Sequence, residues 1–257
     1  MLDIDTQSFL QVLMTKGVMS QEDVAREIVF IFGDNIVEGQ IQMINEKIAP
    51  YNFVIKSANC ELSGMKYWIF TANVMDKVMN YPGRFTRVQL EYVRKVFSEI
   101  INSEEGYIST ITCINVRSQM TGQLSATEAE STLTMMIDQM WVHQQGDNVY
   151  MGVRSVGELM PYFRESYADG LNACLMCRNT IFHGYRCENC QGVSHLYCIA
   201  KAVKYQKNLK CLGCAAPVRA QNLPEIHEDD SMDLDEDDVS SVRNPKTSKA
   251  RKSQRRR

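Results

Sequence analysis

Apolar side chains fall at helical spacing along much of residues 1–166, broken by short apolar runs that face each other across polar turns. A first helix is expected near Thr6–Thr15, with Phe9, Leu10 and Leu13 on one face. Ser20, with Asp23 three residues on, resembles a capping box with Asp in place of Glu. It opens a second helix carrying Val24, Ile28 and Ile31. Val37, Ile41, Ile44 and Ile48 step along a third helix, which Pro50 stops. Phe53-Val-Ile, a polar turn around Ser63-Gly64 and Tyr67-Trp-Ile-Phe then predict a strand, a turn and a strand.

The plan repeats over residues 84–166. A helix from about Thr86 to Ile101 lines up Leu90, Val93, Phe97 and Ile100. A short segment, Tyr107–Val116, follows. A second box, Ser125 with Glu128, opens a helix with Ala129, Leu133, Met136 and Met140 on one face. Next come Met140-Trp-Val-His, a turn at Gly146-Asp147, and Val149-Tyr-Met. A third box, Ser155 with Glu158, opens a last helix with Val156, Leu159 and Phe163. Helices closed by a two-stranded hairpin, twice over, predict an α+β chain that begins with tandem winged helices. Any small α+β domain is the plainer alternative.

Charge redirects that reading. A winged helix that grips DNA needs Lys or Arg on the helix entering the groove. The candidate helix of the second unit, Thr127–Met140, holds Glu128, Glu130 and Asp138 and no base. Its counterpart in the first unit, Asn35–Ala49, has Glu38 and Glu46 against Lys47 alone. Direct DNA binding is expected to be weak, and the winged helices are expected to bind protein. The apolar faces, with Trp68 and Trp141, are expected to be core. The net charge of −3 averages over unlike parts. Residues 225–238 hold nine acids and no base, and residues 243–257 hold eight bases and no acid. From Gln221 on there is no apolar periodicity, so a disordered acidic-then-basic tail is expected. Its basic end suits a nuclear localisation signal, a weak nucleic-acid arm, or a solvated arm folded back on the acids. No purely apolar run, Ile28 to Phe32 included, approaches the roughly 20 residues a membrane helix needs. The acidic N-terminus is unlike a signal peptide, so neither a membrane span nor secretion is expected.

Seven of the nine Cys fall between Cys174 and Cys214, in the order C-x2-C-x9-C-x2-C-x4-H-x2-C-x12-C-x2-C. The candidate ligands are Cys174, Cys177, Cys187, Cys190, His195, Cys198, Cys211 and Cys214. Zn²⁺ takes four tetrahedral thiolate or imidazole ligands, so the eight residues predict two closed structural sites. About 40 residues are too few for a self-sufficient core, so metal binding must supply folding free energy. Disulfides are the weaker reading in a chain not expected to be secreted. Two pairings stay open: pairs one with three and two with four in a cross-brace, which the regular order favours, or sequential knuckles. His183 lies outside every pair and reads as a loop residue. All ligand positions are filled by protein, so neither zinc keeps the open position catalysis requires. Cys60 and Cys113 have no His nearby in sequence and are expected to be buried structural residues.

A four-Cys, His, three-Cys cross-brace (C4HC3) is shared by variant RING ubiquitin ligases and PHD-type histone readers. The x4 gap before His195 suits a PHD finger, but the position two before the seventh ligand is Leu209, not an aromatic. The whole chain over about residues 1–220 resembles the non-structural maintenance of chromosomes element 1 family, the RING-like subunits of the structural-maintenance-of-chromosomes five–six complex. The resemblance rests on the two helix-plus-hairpin units and on Tyr150-Met-Gly-Val-Arg-Ser-Val-Gly-Glu-Leu-Met-Pro-Tyr-Phe-Arg-Glu before the cluster. It also rests on the cluster itself, with His195-Leu-Tyr-Cys198-Ile-Ala-Lys. The expected boundaries are winged helices at 1–82 and 83–168, a RING-like zinc domain at 170–220 and a tail at 221–257. The resemblance implies a nuclear, chromatin-associated E3 ubiquitin ligase subunit in DNA repair by recombination, partnered by a MAGE-type winged-helix subunit and a kleisin. Such a domain scaffolds a ubiquitin-charged E2, with no covalent intermediate on the ligase. Met176 occupies the apolar position before the second ligand, where a RING contacts its E2. Ala202, Leu212 and Ala215 depart from strong RING ligases, which often carry Trp, Pro and an activating Arg there. Activity is therefore expected to depend on a partner. A PHD-like chromatin reader and a purely structural assembly subunit are the alternatives.

Overall fold

The computed structural model describes residues 2–33, 35–73, 85–206 and 208–225. The acidic-then-basic tail beyond 225 and the boundary expected near 82–83 lie outside the described residues. Asp3 caps α1 (Ile4–Lys16) by accepting the Thr6 N–H at 2.8 Å. Gly17, at φ 78°, ends the helix and turns the chain into β1 (Val18–Ser20). Ser20 then accepts the Asp23 N–H at 3.1 Å and starts α2 (Gln21–Phe32). Only the serine half of that box is found, because the Asp23 carboxylate pairs with Arg26. α3 (Val37–Ile48) passes at Ala49 into one tight turn, with Pro50 at its start. β2 (Phe53–Asn59) and β3 (Lys66–Ala72) form the hairpin.

β1 is what the hydrophobic pattern did not reveal. It pairs antiparallel with β3, Val18 opposite Ile69 and Met19 opposite Trp68, so the sheet order is β1-β3-β2. The core beneath it holds Phe9, Leu13, Val24, Ile28, Ile44 and Trp68.

The second unit repeats this order. Thr86 and Gln89 make a complete capping box before α4 (Arg87–Asn102). β4 (Tyr107–Ser109), α5 (Thr110–Asn115), α6 (Ala126–Asp138), β5 (Val142–Gln145) and β6 (Asn148–Met151) follow. Ser125 and Glu128 complete the box of α6 as expected. The sheet runs β4-β6-β5, the same arrangement as in the first unit. Val93, Phe97, Leu133, Met136, Trp141 and Phe163 lie in one buried core. Met140, expected on the face of α6, lies beyond its end at φ 59° and is exposed.

The box expected at Ser155 does not form. α7 (Val153–Ser166) starts three residues earlier, with Gly152 in the capping position. A Cβ at Gly152 would lie 2.2 Å from the Met140 carbonyl oxygen, so no capping side chain fits there. Ser155 sits inside the helix and donates to the Trp141 carbonyl at 2.6 Å. Glu158 accepts from Arg154 at 2.7 Å instead of capping.

α7 also packs against the hairpin of the first unit, where Val18, Ile69 and Val153 share an apolar cluster. The approach is tight: a Cβ at Gly157 would stand 2.2 Å from the Ile69 Cδ1. Gly157→Leu is expected to cost about 1–3 kcal/mol by overpacking, read as a lower urea midpoint. An unchanged midpoint would mean that α7 does not press on the hairpin.

Candidate metal centre

Four short strands and one helix carry the cysteine cluster: β7 (Asn172–Ala173), β8 (Thr180–Ile181), β9 (Tyr185–Arg186), β10 (Val193–Ser194) and α8 (Leu196–Tyr205). β7 pairs with β8, and β9 with β10. Three Cys-x2-Cys segments adopt the same turn. Arg178 N–H reaches Cys174 O at 3.0 Å, Gln191 N–H reaches Cys187 O at 2.8 Å, and Ala215 N–H reaches Cys211 O at 2.8 Å. The residue after each segment has φ of 60–67°, the left-handed conformation that folds both sulfurs to one side. Backbone N–H groups already point at sulfur: Met176 N–H to Cys174 Sγ and Gly213 N–H to Cys211 Sγ, both at 3.4 Å. The remaining pair, third in chain order, sits at the start of α8, with His195 in the capping position and Cys198 one turn on.

These elements bring all eight predicted residues into two groups. Cys174, Cys177, His195 and Cys198 form one, and Cys187, Cys190, Cys211 and Cys214 the other. Within each group the ligand atoms lie within 4.8 Å of one another. Pair one joins pair three and pair two joins pair four, so the pairing left open by the sequence is the cross-brace. All nine cysteines are free thiols, which sets the disulfide reading aside.

The donor sets fit zinc. A tetrahedron with Zn–S bonds of about 2.3 Å has S···S edges of about 3.8 Å. Cys187 Sγ lies 3.6 Å from Cys214 Sγ, and Cys190 Sγ lies 3.6 Å from Cys211 Sγ. In the first group, His195 Nδ1 lies 3.3 Å from Cys177 Sγ and 3.8 Å from Cys198 Sγ. Such crowded sulfurs cannot all ionise alone. Contacts with Cys174 and Cys177, together with burial, push the Cys198 thiol far up, while contacts with Cys177 and Cys198 draw Cys174 far down. A bound dication removes that conflict by letting every ligand thiol be a thiolate.

The remaining candidates separate cleanly. His183 lies outside both groups, its Nδ1 2.8 Å from the Glu105 carbonyl oxygen and its ring against Tyr107 and Tyr150. Cys113 is buried, and burial pushes its thiol up to about 12, which leaves it inert. Cys60, expected to be buried, is only half-buried, because it lies just past β2 where the chain leaves the sheet. Met176 faces a shallow cleft lined also by Tyr185, Ile199, Leu209, Leu212 and Val218. Leu212 is 65% exposed at its rim.

Two residues escaped the sequence reading. Phe182 leaves the zinc region and packs edge-on against Phe163 of α7, ring centroids 5.7 Å apart. Glu61, in the turn between β2 and β3, is only 6% exposed. Its carboxylate accepts the N–H groups of Phe182 at 2.9 Å and His183 at 2.8 Å. The same carboxylate lies 3.5 Å from His195 Nε2. No local pattern marks an acid in a polar turn as the partner of a residue more than a hundred positions away.

Comparison with known proteins agrees with this architecture. Residues 174–214 match a family described as a RING-like domain. The chain is 26% identical to the non-structural maintenance of chromosomes element 1 homologs of Bos taurus and Homo sapiens, over 214 residues that cover 80% of each chain. It is 25% identical to the Schizosaccharomyces pombe protein of that name, covering 81% of this chain and 89% of the relative. A chain of a solved Nse1-Nse3-Nse4 complex shares the fold, with TM-score 0.76 and 23% identity, over 86% of this chain and 99% of that one. Residues 6–159, more than half of the chain, match the family described as Nse1, non-SMC component of the SMC5-6 complex. A tandem of three-stranded winged helices followed by a cross-braced cysteine domain is thus explained by descent: the chain belongs to the Nse1 family.

Proposed function

We propose that this chain is the RING-like E3 ubiquitin ligase subunit of an SMC5-6 complex, acting in the nucleus in DNA repair by recombination. Its modules are the winged helices at 1–82 and 83–168 and the zinc domain at 170–220. Zinc is held by Cys174, Cys177, His195 and Cys198 in one site and by Cys187, Cys190, Cys211 and Cys214 in the other. The bound metal supplies folding free energy and no chemistry at the bond being made. The work of the protein is to hold a ubiquitin-charged E2 in a reactive conformation.

One observation carries this reading: the cleft at Met176 is lined by Cys187 and Cys211 of the second metal group and by Met176, Ser194 and Ile199, the chain neighbours of Cys177, His195 and Cys198 of the first. Leu209, in place of an aromatic, argues against a histone reader. A MAGE-type subunit and a kleisin are the proposed partners, after the Nse3 and Nse4 named with the structural relative. Charge supports protein partners over DNA. α6 has no base, and the single Lys47 of α3 is spent on Asp3 at 2.6 Å and Thr6 at 3.1 Å. Glu38 of α3 is paired with Lys66 at 3.1 Å.

Ala202, Leu212 and Ala215 stand where strong RING ligases often carry Trp, Pro and an activating Arg, so activity is expected to need help. Discharge of ubiquitin from a charged E2 should be slow with this chain alone and faster with the MAGE-type partner. Equal, robust rates in both conditions would remove the partner dependence. No discharge in either would favour a purely structural subunit.

A further inference from the structure

The first metal group differs from the second in one respect: it contains an imidazole, and only one nitrogen of that ring faces the sulfurs. Nδ1 lies within 3.8 Å of Cys177 and Cys198 Sγ. Nε2 points the other way, toward the Glu61 carboxylate at 3.5 Å. A histidine that gives Nδ1 to a metal keeps its proton on Nε2 and needs an acceptor for it. His195 is 2% exposed, so water does not fill that role. Its ring is stacked on Tyr197, with centroids 4.6 Å apart, which holds the plane but satisfies no hydrogen bond. Glu61 is the acceptor within reach. The Glu61 carboxylate is itself fixed by two backbone N–H donors, Phe182 and His183, from the zinc region. Three donors converge on one buried carboxylate, which offsets the cost of burying its charge.

We propose that Glu61, a residue of the first winged-helix hairpin, is the positioning residue for His195 and so a built-in part of the first metal site. It selects the tautomer that leaves Nδ1 free for zinc and raises the basicity of that nitrogen. The same side chain bolts the zinc domain to the hairpin between β2 and β3. The first site is therefore completed by two parts of the fold, whereas all ligands and sulfur-directed N–H groups of the second site come from the zinc region. Phe182, packed on Phe163, brings the other winged helix to the same junction. The E2 cleft is in this way held at a fixed orientation to the surfaces that bind partners. The proposal rests on zinc occupying the first group and stands whether or not the chain is an active ligase.

The test uses the full chain loaded with Co²⁺ or Zn²⁺ and titrated with a chelator. A three-sulfur, one-nitrogen cobalt site and a four-sulfur site absorb differently, so each can be followed by itself. Glu61→Gln keeps the shape and removes the charge. It should weaken the first site by roughly 10–100-fold, shift its cobalt bands and leave the second site unchanged. Replacing the ligand ring by His195→Cys keeps the site but removes Nε2; both sites are then four-sulfur and are read together, and in that background Glu61→Gln should cause no further loss of total cobalt binding. Wild-type affinity at the first site in Glu61→Gln would overturn the proposal. So would equal weakening of both sites, or the same loss in the His195→Cys background, since either places the effect in the loop at Phe182 and not in the imidazole. If the unmutated chain shows no three-sulfur, one-nitrogen spectrum, the assignment of the first group to zinc fails instead.

Discussion

Stripping zinc is expected to unfold residues 172–217 while the two winged-helix cores stay folded. The apolar core of the zinc region is thin. Ile181, Tyr197, Ile199 and Ala200 are its buried apolar side chains, apart from the cysteines themselves. A domain of this size rarely draws more than about 3–5 kcal/mol from its core. Structural zinc contributes on the order of 10 kcal/mol per site in small metal-folded domains. Without it Cys174, buried in the first group, and Cys187 and Cys211, buried in the second, would face their neighbouring sulfurs with no metal between them. Cys187→Ser should act like chelation at the second site, because three ligands do not close a tetrahedron. Hydrogen exchange read by mass spectrometry separates the regions. Protection should vanish across 172–217 on adding a strong chelator and persist in α4 and α6, whose buried faces belong to the larger core. Protection in 172–217 that ignores the chelator would show that metal does not hold the domain.

Trp141→Ala is expected to cost about 3–5 kcal/mol, a large share of the 5–15 kcal/mol that holds a typical domain together. Trp141 is 1% exposed, the largest fully buried side chain among the described residues. The Arg154 guanidinium lies 4.3 Å from its ring centroid, and its indole N–H donates to Gln139 at 3.3 Å. Its carbonyl receives Gly152 N–H at 3.0 Å and Ser155 O–H at 2.6 Å, which fixes where α7 begins. The void would therefore open at the root of the helix that bridges to the first unit. Urea unfolding of the zinc-loaded chain reads the effect. A loss below about 1 kcal/mol would place the ring outside the core.

Helices with three or more turns were legible because burial imposes a period on them. Val37, Ile41, Ile44 and Ile48 are all buried where the pattern placed them. The three-residue strands β1 and β4 were not legible, since three residues carry no period; only pairing with β3 and β6 makes them strands. Yet those strands turn a helix-plus-hairpin into a winged helix. Ser155 shows the opposite failure. The spacing Ser-x-x-Glu is necessary for a capping box but not sufficient, and the close pass of Gly152 over Met140 started the helix earlier. The metal groups were legible because ligand chemistry demands particular residues at fixed short spacings. Their pairing came from the fold, which alone brings Cys177 beside His195. Glu61 left no trace in the sequence, because its meaning depends on a contact between modules that local spacing does not encode.

A ubiquitin-charged E2 is proposed to dock at the cleft lined by Met176. Met176→Glu puts a charge into that cleft while leaving every metal ligand in place. The direct measurement is single-turnover discharge of ubiquitin from the E2 by zinc-loaded chain with its MAGE-type partner. The unmutated protein should accelerate discharge, and Met176→Glu should return it to the rate of E2 alone with zinc content and partner binding intact. Discharge by Met176→Glu at the unmutated rate would rule out E2 docking at this cleft.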